Sequence, residues 1–160
     1  MSPVICDNAA LSALAEIDHL NLLPLLFPVI TVTESVRQEA THLRAPAALR
    51  QFMLQQPEWL AVEADPVPLH PITEGLEDRE SSSITLAWEN RADSLLVLDD
   101  LRARKAASAL QLPHTGLVSI LGHMAKEEFT DYDQAILNLR ETGFHVSPTI
   151  VGMVRKRHCL

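Results

Sequence analysis

At 160 residues with a hydrophobic fraction of 47%, the chain can bury a sizeable core without disulfides or a structural metal. Its formal net charge of −8 argues against a simple DNA-binding module with a basic face, although a carboxylate cluster that holds cations adds negative charge and reverses its local potential when loaded. No apolar run approaches the roughly 20 residues of a membrane span, the N-terminus lacks a signal peptide's basic flank, and neither Cys6 nor Cys159 has a CxxC or CxxH neighbour. The expectation is a single domain over residues 1–160, cytoplasmic, with reduced cysteines.

Short β-rich runs alternate with amphipathic stretches, the pattern of a parallel-sheet α/β domain. Val4-Ile5-Cys6 predicts a first strand ending at Asp7. Asn8 is placed to cap a helix from Ala9 to Ile17 with Leu11, Leu14 and Ala15 on its inner face. A second helix runs from about His19 to Leu26 and closes at Phe27-Pro28. Val29–Val32 predicts the second strand, and Thr33 caps a helix through about Thr41 with Val36 and Ala40 inward. A helix from Ala45-Pro46 to about Gln55 leads to a third strand, Trp59–Val62. The segment from Asp65 to Gly75 has three prolines and reads as an irregular loop. A helix follows over about Asp78–Asn90, then the most hydrophobic strand, Ser94–Leu98, which stops at Asp99-Asp100. A helix to Leu110, a short strand or turn at His114-Thr115, and helices over Val118–Lys126, Asp131–Glu141 and Pro148–Lys156 complete the chain.

The informative feature is where the acids fall. Asp7 follows the first strand and Asp99-Asp100 follow the most buried one. In open parallel sheets, ligands bind outside the carboxyl ends of the strands, beside the switch in strand order. Carboxylates there suit Mg²⁺, which takes hard oxygen ligands. Spacing alone leaves an alternative open, because an Asp after a strand is also an ordinary turn or cap residue. Glu34, Glu39, Glu77, Asp78 and Glu80 equally fit acids placed in the first turns of helices, where the helix dipole favours them.

Four stretches in order carry a resemblance: Val4-Ile5-Cys6-Asp7-Asn8-Ala9 at the start, Val32–Ala40 with Glu39 as its acid, Arg79-Glu80-Ser81-Ser82-Ser83, and Leu95–Arg104 around Asp99-Asp100. The tail Leu139–Phe144 with Ser147-Pro148 extends it. The chain resembles PIN-like proteins of the DUF3368 group, relatives of VapC-type toxin ribonucleases, over essentially its whole length. The resemblance implies a short parallel β-sheet flanked by helices. It also implies a metal site of Asp7, Glu39, Glu80 and one or both of Asp99 and Asp100 that binds Mg²⁺ or Mn²⁺ to hydrolyse RNA. Asp100 aligns better with the family's usual acid, while Asp99 supports it or caps a helix. A small antitoxin protein and a homodimer are the implied partners. Two departures favour a catalytically degenerate scaffold instead: Arg79 stands where the family has Gly, and Leu98 where many members have Thr or Ser.

Other features read as structural. Ser81, Ser82 and Ser83 have no adjacent base to activate a nucleophile. His42 reads as a surface residue, and Trp59 and Trp88 as core or interface anchors. Arg155-Lys156-Arg157 reads as a solvated terminal helix or an antitoxin contact. The chain lacks GxGxxG and GxxxxGK[ST], which excludes the usual nucleotide loops. Leu20, Leu22, Leu23, Leu25 and Leu26 exceed what one helix needs to bury, which predicts a dimer surface.

Overall fold

The computed structural model describes residues 3–160. The strands are β1 (Val4–Cys6), β2 (Ile30–Thr33), β3 (Leu60–Glu63), β4 (Leu95–Val97) and β5 (His114–Thr115). All pair in parallel, in the order β3-β2-β1-β4-β5. Parallel neighbours need crossovers, and helices supply them. α1 (Asn8–Glu16) and α2 (Leu23–Leu26) lead from β1 to β2, and α3 (Glu34–Ala40) and α4 (Ala47–Gln55) from β2 to β3. α5 (Asp78–Glu89) leads to β4 and α6 (Leu101–Ala109) to β5. α7 (Leu117–Lys126), α8 (Tyr132–Glu141) and α9 (Pro148–His158) close the chain. The fold is the short parallel sheet flanked by helices that the sequence predicts.

Side-chain alternation along the strands divides the core in two. Val4, Cys6, Ile30, Val32 and Val97 join the larger cluster, beneath helices that include α1, α4, α7, α8 and α9. Ile5, Leu96 and Leu98 point the other way, into a smaller cluster with Ile84 of α5 and Ala103 of α6. Leu98 is therefore a core residue with no exposed surface. The chain steps outward from β1 through β2 to β3, then returns past β1 to β4. That reversal opens a crevice at the carboxyl ends of β1 and β4.

Local chemistry explains the boundaries. The Thr33 hydroxyl accepts from the Val36 amide and caps α3 as expected, and it also hydrogen-bonds Ser82 of α5 at 2.8 Å. At α1 the N-cap position belongs to Asp7, and Asn8 is the first helical residue rather than the cap. The predicted second helix divides into a 3₁₀ turn, Leu20–Leu22, and the short α2. The proline-rich loop is tied down, because Asp65 accepts from the Ser35 amide at 3.0 Å and the His70 amide donates to Thr85 at 2.9 Å. Of the five leucines, part of whose surface the sequence assigns to a dimer, Leu20 and Leu23 are buried and Leu22 and Leu26 are partly buried against the larger cluster. Leu25, 55% exposed, is the most open of them. Among the described residues no single helix is long and apolar enough to cross a membrane.

α9 packs on α7 through a glycine. A Cβ at Gly122 would collide with Val154 and crowd His158. Overpacking of this kind costs about 1–3 kcal/mol, so Gly122→Ala is expected to lower the denaturant midpoint with an unchanged m-value. Combining it with Val154→Ala should recover part of the loss. A Gly122→Ala variant as stable as the parent would show that the two helices have slack.

Candidate active site

β1 stops at Cys6, but the Asp7 amide still donates to the Val97 carbonyl at 3.0 Å, and one strand over the Leu98 amide donates to Thr115 at 3.0 Å. Pairing therefore runs to Asp7 itself on one strand and to Leu98, just before Asp99, on the next, and sets Asp7 and Asp99 at neighbouring strand ends. Asp7 is 1% exposed, and its Oδ1 has no hydrogen-bond partner. Burial pushes its pKa above the ordinary carboxylate value. The Arg79 charge and the amides of Asn8 and Ala9 oppose that rise, although no well-formed capping bond is made, and Asp100 adds to it.

The two acids after β4 cap different helices. Asp100 Oδ2 accepts from the Ala103 amide at 3.0 Å, so it caps α6. Asp99 reaches across to α7, where its oxygens lie 3.1 and 3.2 Å from the Leu117 amide. That approach requires glycine at position 116, because a Cβ there would sit 2.8 Å from Asp99 Oδ1. Burial raises the Asp99 pKa, the Leu117 amide and Arg104 counter it, and Asp7 adds to it. Glu80, buried in the first turn of α5, is also raised by burial, then by Asp100 and Asp7, with Arg79 opposing.

These four acids line one cleft of about 660 Å³. Glu39 does not join them. It is exposed on α3 and lines a separate groove with His42, and that groove shares only Glu77 and Arg79 with the main cleft. The ligand set expected from sequence is thus brought together at Asp7, Glu80, Asp99 and Asp100, with Glu39 outside. The cleft is also lined by Arg104, beside Asp99, and by His145 and Arg157, together with apolar Phe144, Ile150 and Met153. Arg157 is exposed on the terminal helix as expected and also borders this cleft, while Arg155 pairs with Asp133 and lies 5.1 Å over the Tyr132 ring.

Among the described residues no three His, Cys, Asp or Glu side chains form a ready-made metal site. Mg²⁺ needs less, since it usually takes one or two protein carboxylates and completes its octahedron with waters and phosphate oxygens. Asp7, with a buried unpartnered oxygen, and Asp100, which uses one oxygen for its cap, meet that demand. The donor set is all oxygen, which suits a hard cation.

A family model described as DUF3368, PIN domain, matches residues 3–158. The chain belongs to that family. PIN domains are generally nucleases and typically use divalent metal ions. Among curated proteins a search finds no match. The remaining features of this PIN domain are consistent with a site confined to the cleft. Ser81 donates to the Thr73 carbonyl, and Ser82 and Ser83 to the Arg79 carbonyl, so the serines are buried structural groups. Cys6 is buried, and desolvation with the Asp7 charge pushes its thiol up to about 12, which makes it inert. Trp59 stacks against Phe52, and Trp88 lies beneath Arg91.

Sequence reasoning singled out Arg155-Lys156-Arg157 as a basic group but did not place Arg157 near the acids. For Arg104 a signal existed, since it lies one helical turn beyond Asp100. For Arg157 and His145 the place beside the cleft depends on how α9 and the loop before it pack on the rest of the chain.

Because Asp7, Glu80 and Asp99 have raised pKa values, the folded chain binds protons more readily than the unfolded chain. Their effect on metal-free stability is therefore least harmful below the ordinary carboxylate range. It worsens as pH rises from that ordinary value through the raised native one. Asp7→Asn is expected to raise the melting temperature in chelator at neutral pH but not in acid below the carboxylate range, each kcal/mol being worth about 2–4 °C. Thermal melts at both pH values check this, and equal gains at both would refute the buried-charge account.

Proposed function

We propose that this PIN domain is a metal-dependent endoribonuclease, the toxin of a toxin–antitoxin pair, acting in the cytoplasm on RNA phosphodiester bonds. The observation that carries the reading is the meeting of Asp7, Glu80, Asp99 and Asp100 in one cleft at the ends of adjacent parallel strands. Asp7 and Asp100 would hold Mg²⁺ or Mn²⁺, with Glu80 completing the site directly or through water. When bound, such an ion supplies Lewis acidity toward the phosphodiester and neutralises developing charge.

The chain's own residues supply the rest. Asp99, bound to the start of α7, fixes the strand end that carries Asp100. Glu80, buried in the first turn of α5, is held facing the same cleft as Asp7 and Asp100, where its carboxylate adds negative charge for the ion. Arg104 and Arg157 offer phosphate contacts in a chain that is otherwise acidic. Phe144 and Met153 add apolar surface to the same cleft. A small antitoxin protein and a homodimer complete the proposal.

One observation favours a second reading, a catalytically degenerate PIN-like scaffold that holds protein or nucleic acid. The positive charge of Arg79 already bears on Asp7 and Glu80. Incubation of purified protein with labelled RNA and Mn²⁺ or Mg²⁺ separates the two. Cleavage that chelator stops is expected. Asp7→Asn and Asp100→Asn should each lower the rate by about 100-fold or more, whereas Glu39→Gln should change it little. Folded, metal-binding protein that cleaves no RNA would leave the scaffold.

A further inference from the structure

Arg79 is the one residue of the carboxylate cluster to which the nuclease reading gives no task. It is the second residue of α5, immediately before Glu80, and its side chain is 23% exposed. Its Nε donates to Glu77 Oε2 at 3.1 Å. That pair joins residues two apart in sequence, and Glu77 is 69% exposed, so it holds Arg79 only weakly. Arg79 and Glu77 both line the main cleft and the neighbouring groove of Glu39 and His42. The guanidinium stands at the boundary between two concavities with acids in each.

Its electrostatic role follows from that position. Burial works against the Arg79 charge, but the fields of Asp7, Glu77 and Glu80 overcome it. In return Arg79 offsets part of the burial cost at Asp7 and Glu80. A guanidinium keeps its charge at any working pH, so these carboxylates have a permanent counter-ion from their own chain. Asp7 Oδ1 nevertheless lacks a hydrogen-bond partner, so the attraction acts through the field and not through a bidentate bond that would be hard to break.

We propose that Arg79 is a built-in competitor of the divalent ion: held beside Glu77 on the rim of the cleft, its guanidinium offsets the charge of Asp7 and Glu80 and so weakens the hold of these carboxylates on a cation. The inference rests on the metal-dependent reading of the cleft. It makes Arg79 the residue that sets the affinity of the site, keeping it below what the carboxylates alone would give. Glu77, which borders both concavities, is the group that keeps Arg79 in this place.

Isothermal titration of Mn²⁺ into the full chain tests this with Arg79→Ala, Arg79→Lys and, as a control for net charge, Arg91→Ala, whose guanidinium lies 4.3 Å over Trp88 away from the cleft. Arg79→Ala is expected to bind Mn²⁺ on the order of tenfold more tightly, since a unit charge beside a partly desolvated site acts at reduced dielectric. Arg79→Lys should stay near the parent and Arg91→Ala within about twofold of it, because an exposed distant charge is screened. The rise in melting temperature on adding Mn²⁺ should be larger for Arg79→Ala than for the parent. Equal or weaker binding by Arg79→Ala, with the parent still binding, overturns the inference alone. No binding by the parent or any variant overturns the metal reading and the inference together. Should Arg79→Ala not fold, Arg79→Gln takes its place with the same expected outcomes.

Discussion

The parallel pairing of β1 with β4 brings the buried Asp7 carboxylate beside half-buried Asp99 and exposed Asp100, and neighbouring carboxylates repel unless something answers their charge. Most of the surrounding architecture is that answer. α6 begins at Asp100 and α7 at the residue that Asp99 binds, so the positive ends of two helices meet the acids that follow β4. α1 starts directly after Asp7. Arg79 and Arg104 add full charges on either side. What remains uncompensated, including the lone Oδ1 of Asp7, is the site's capacity for a cation.

The start of α5 shows how a buried, charged turn is made tolerable. Glu80 is followed by three serines whose small side chains bond back to nearby carbonyls and do not compete for the cleft. Ser82 also meets Thr33, the cap of α3, so β2, α3 and α5 are joined at one polar contact inside the protein. Buried hydroxyls with partners specify how elements sit, whereas unpartnered ones would cost stability. The orientation of Glu80 toward Asp7 thus depends on groups that carry no chemistry themselves.

The distribution of charge reconciles a net charge of −8 with a nucleic-acid-cleaving family. Cations are few, but packing gathers Arg79, Arg104 and Arg157 around the cleft. The adjacent Arg155 is spent on Asp133 and Tyr132. Two arginines two positions apart on α9 have different surroundings because successive helical residues point about 100° apart. The close contact of Gly122 with Val154 sets how near α9 lies, and with it the position of Arg157.

Elements governed by local chemistry were legible in the sequence. The continuous apolar run Val4–Cys6, the Thr33 cap and the run ending at Asp99-Asp100 each reflect preferences within a few residues. The acids at the strand ends could also be read, since a parallel sheet with a switch in strand order makes those ends neighbours. Decisions between distant segments could not be read. Glu39 shares a helix with correctly placed core residues, Val36 and Ala40, yet it turns to a separate groove because those two occupy the inward face. Asp99 and Asp100 are adjacent in sequence and alike in chemistry, and only the arrival of α7 divides their tasks. How deeply Leu20, Leu22, Leu23 and Leu26 pack on the larger core depends on helices far along the chain. The sequence by itself determined which residues form strands, caps and inner faces, because those preferences are short-ranged. The tertiary structure alone decided which acids share a cleft and which cations face them, because those contacts depend on how elements far apart in the chain pack.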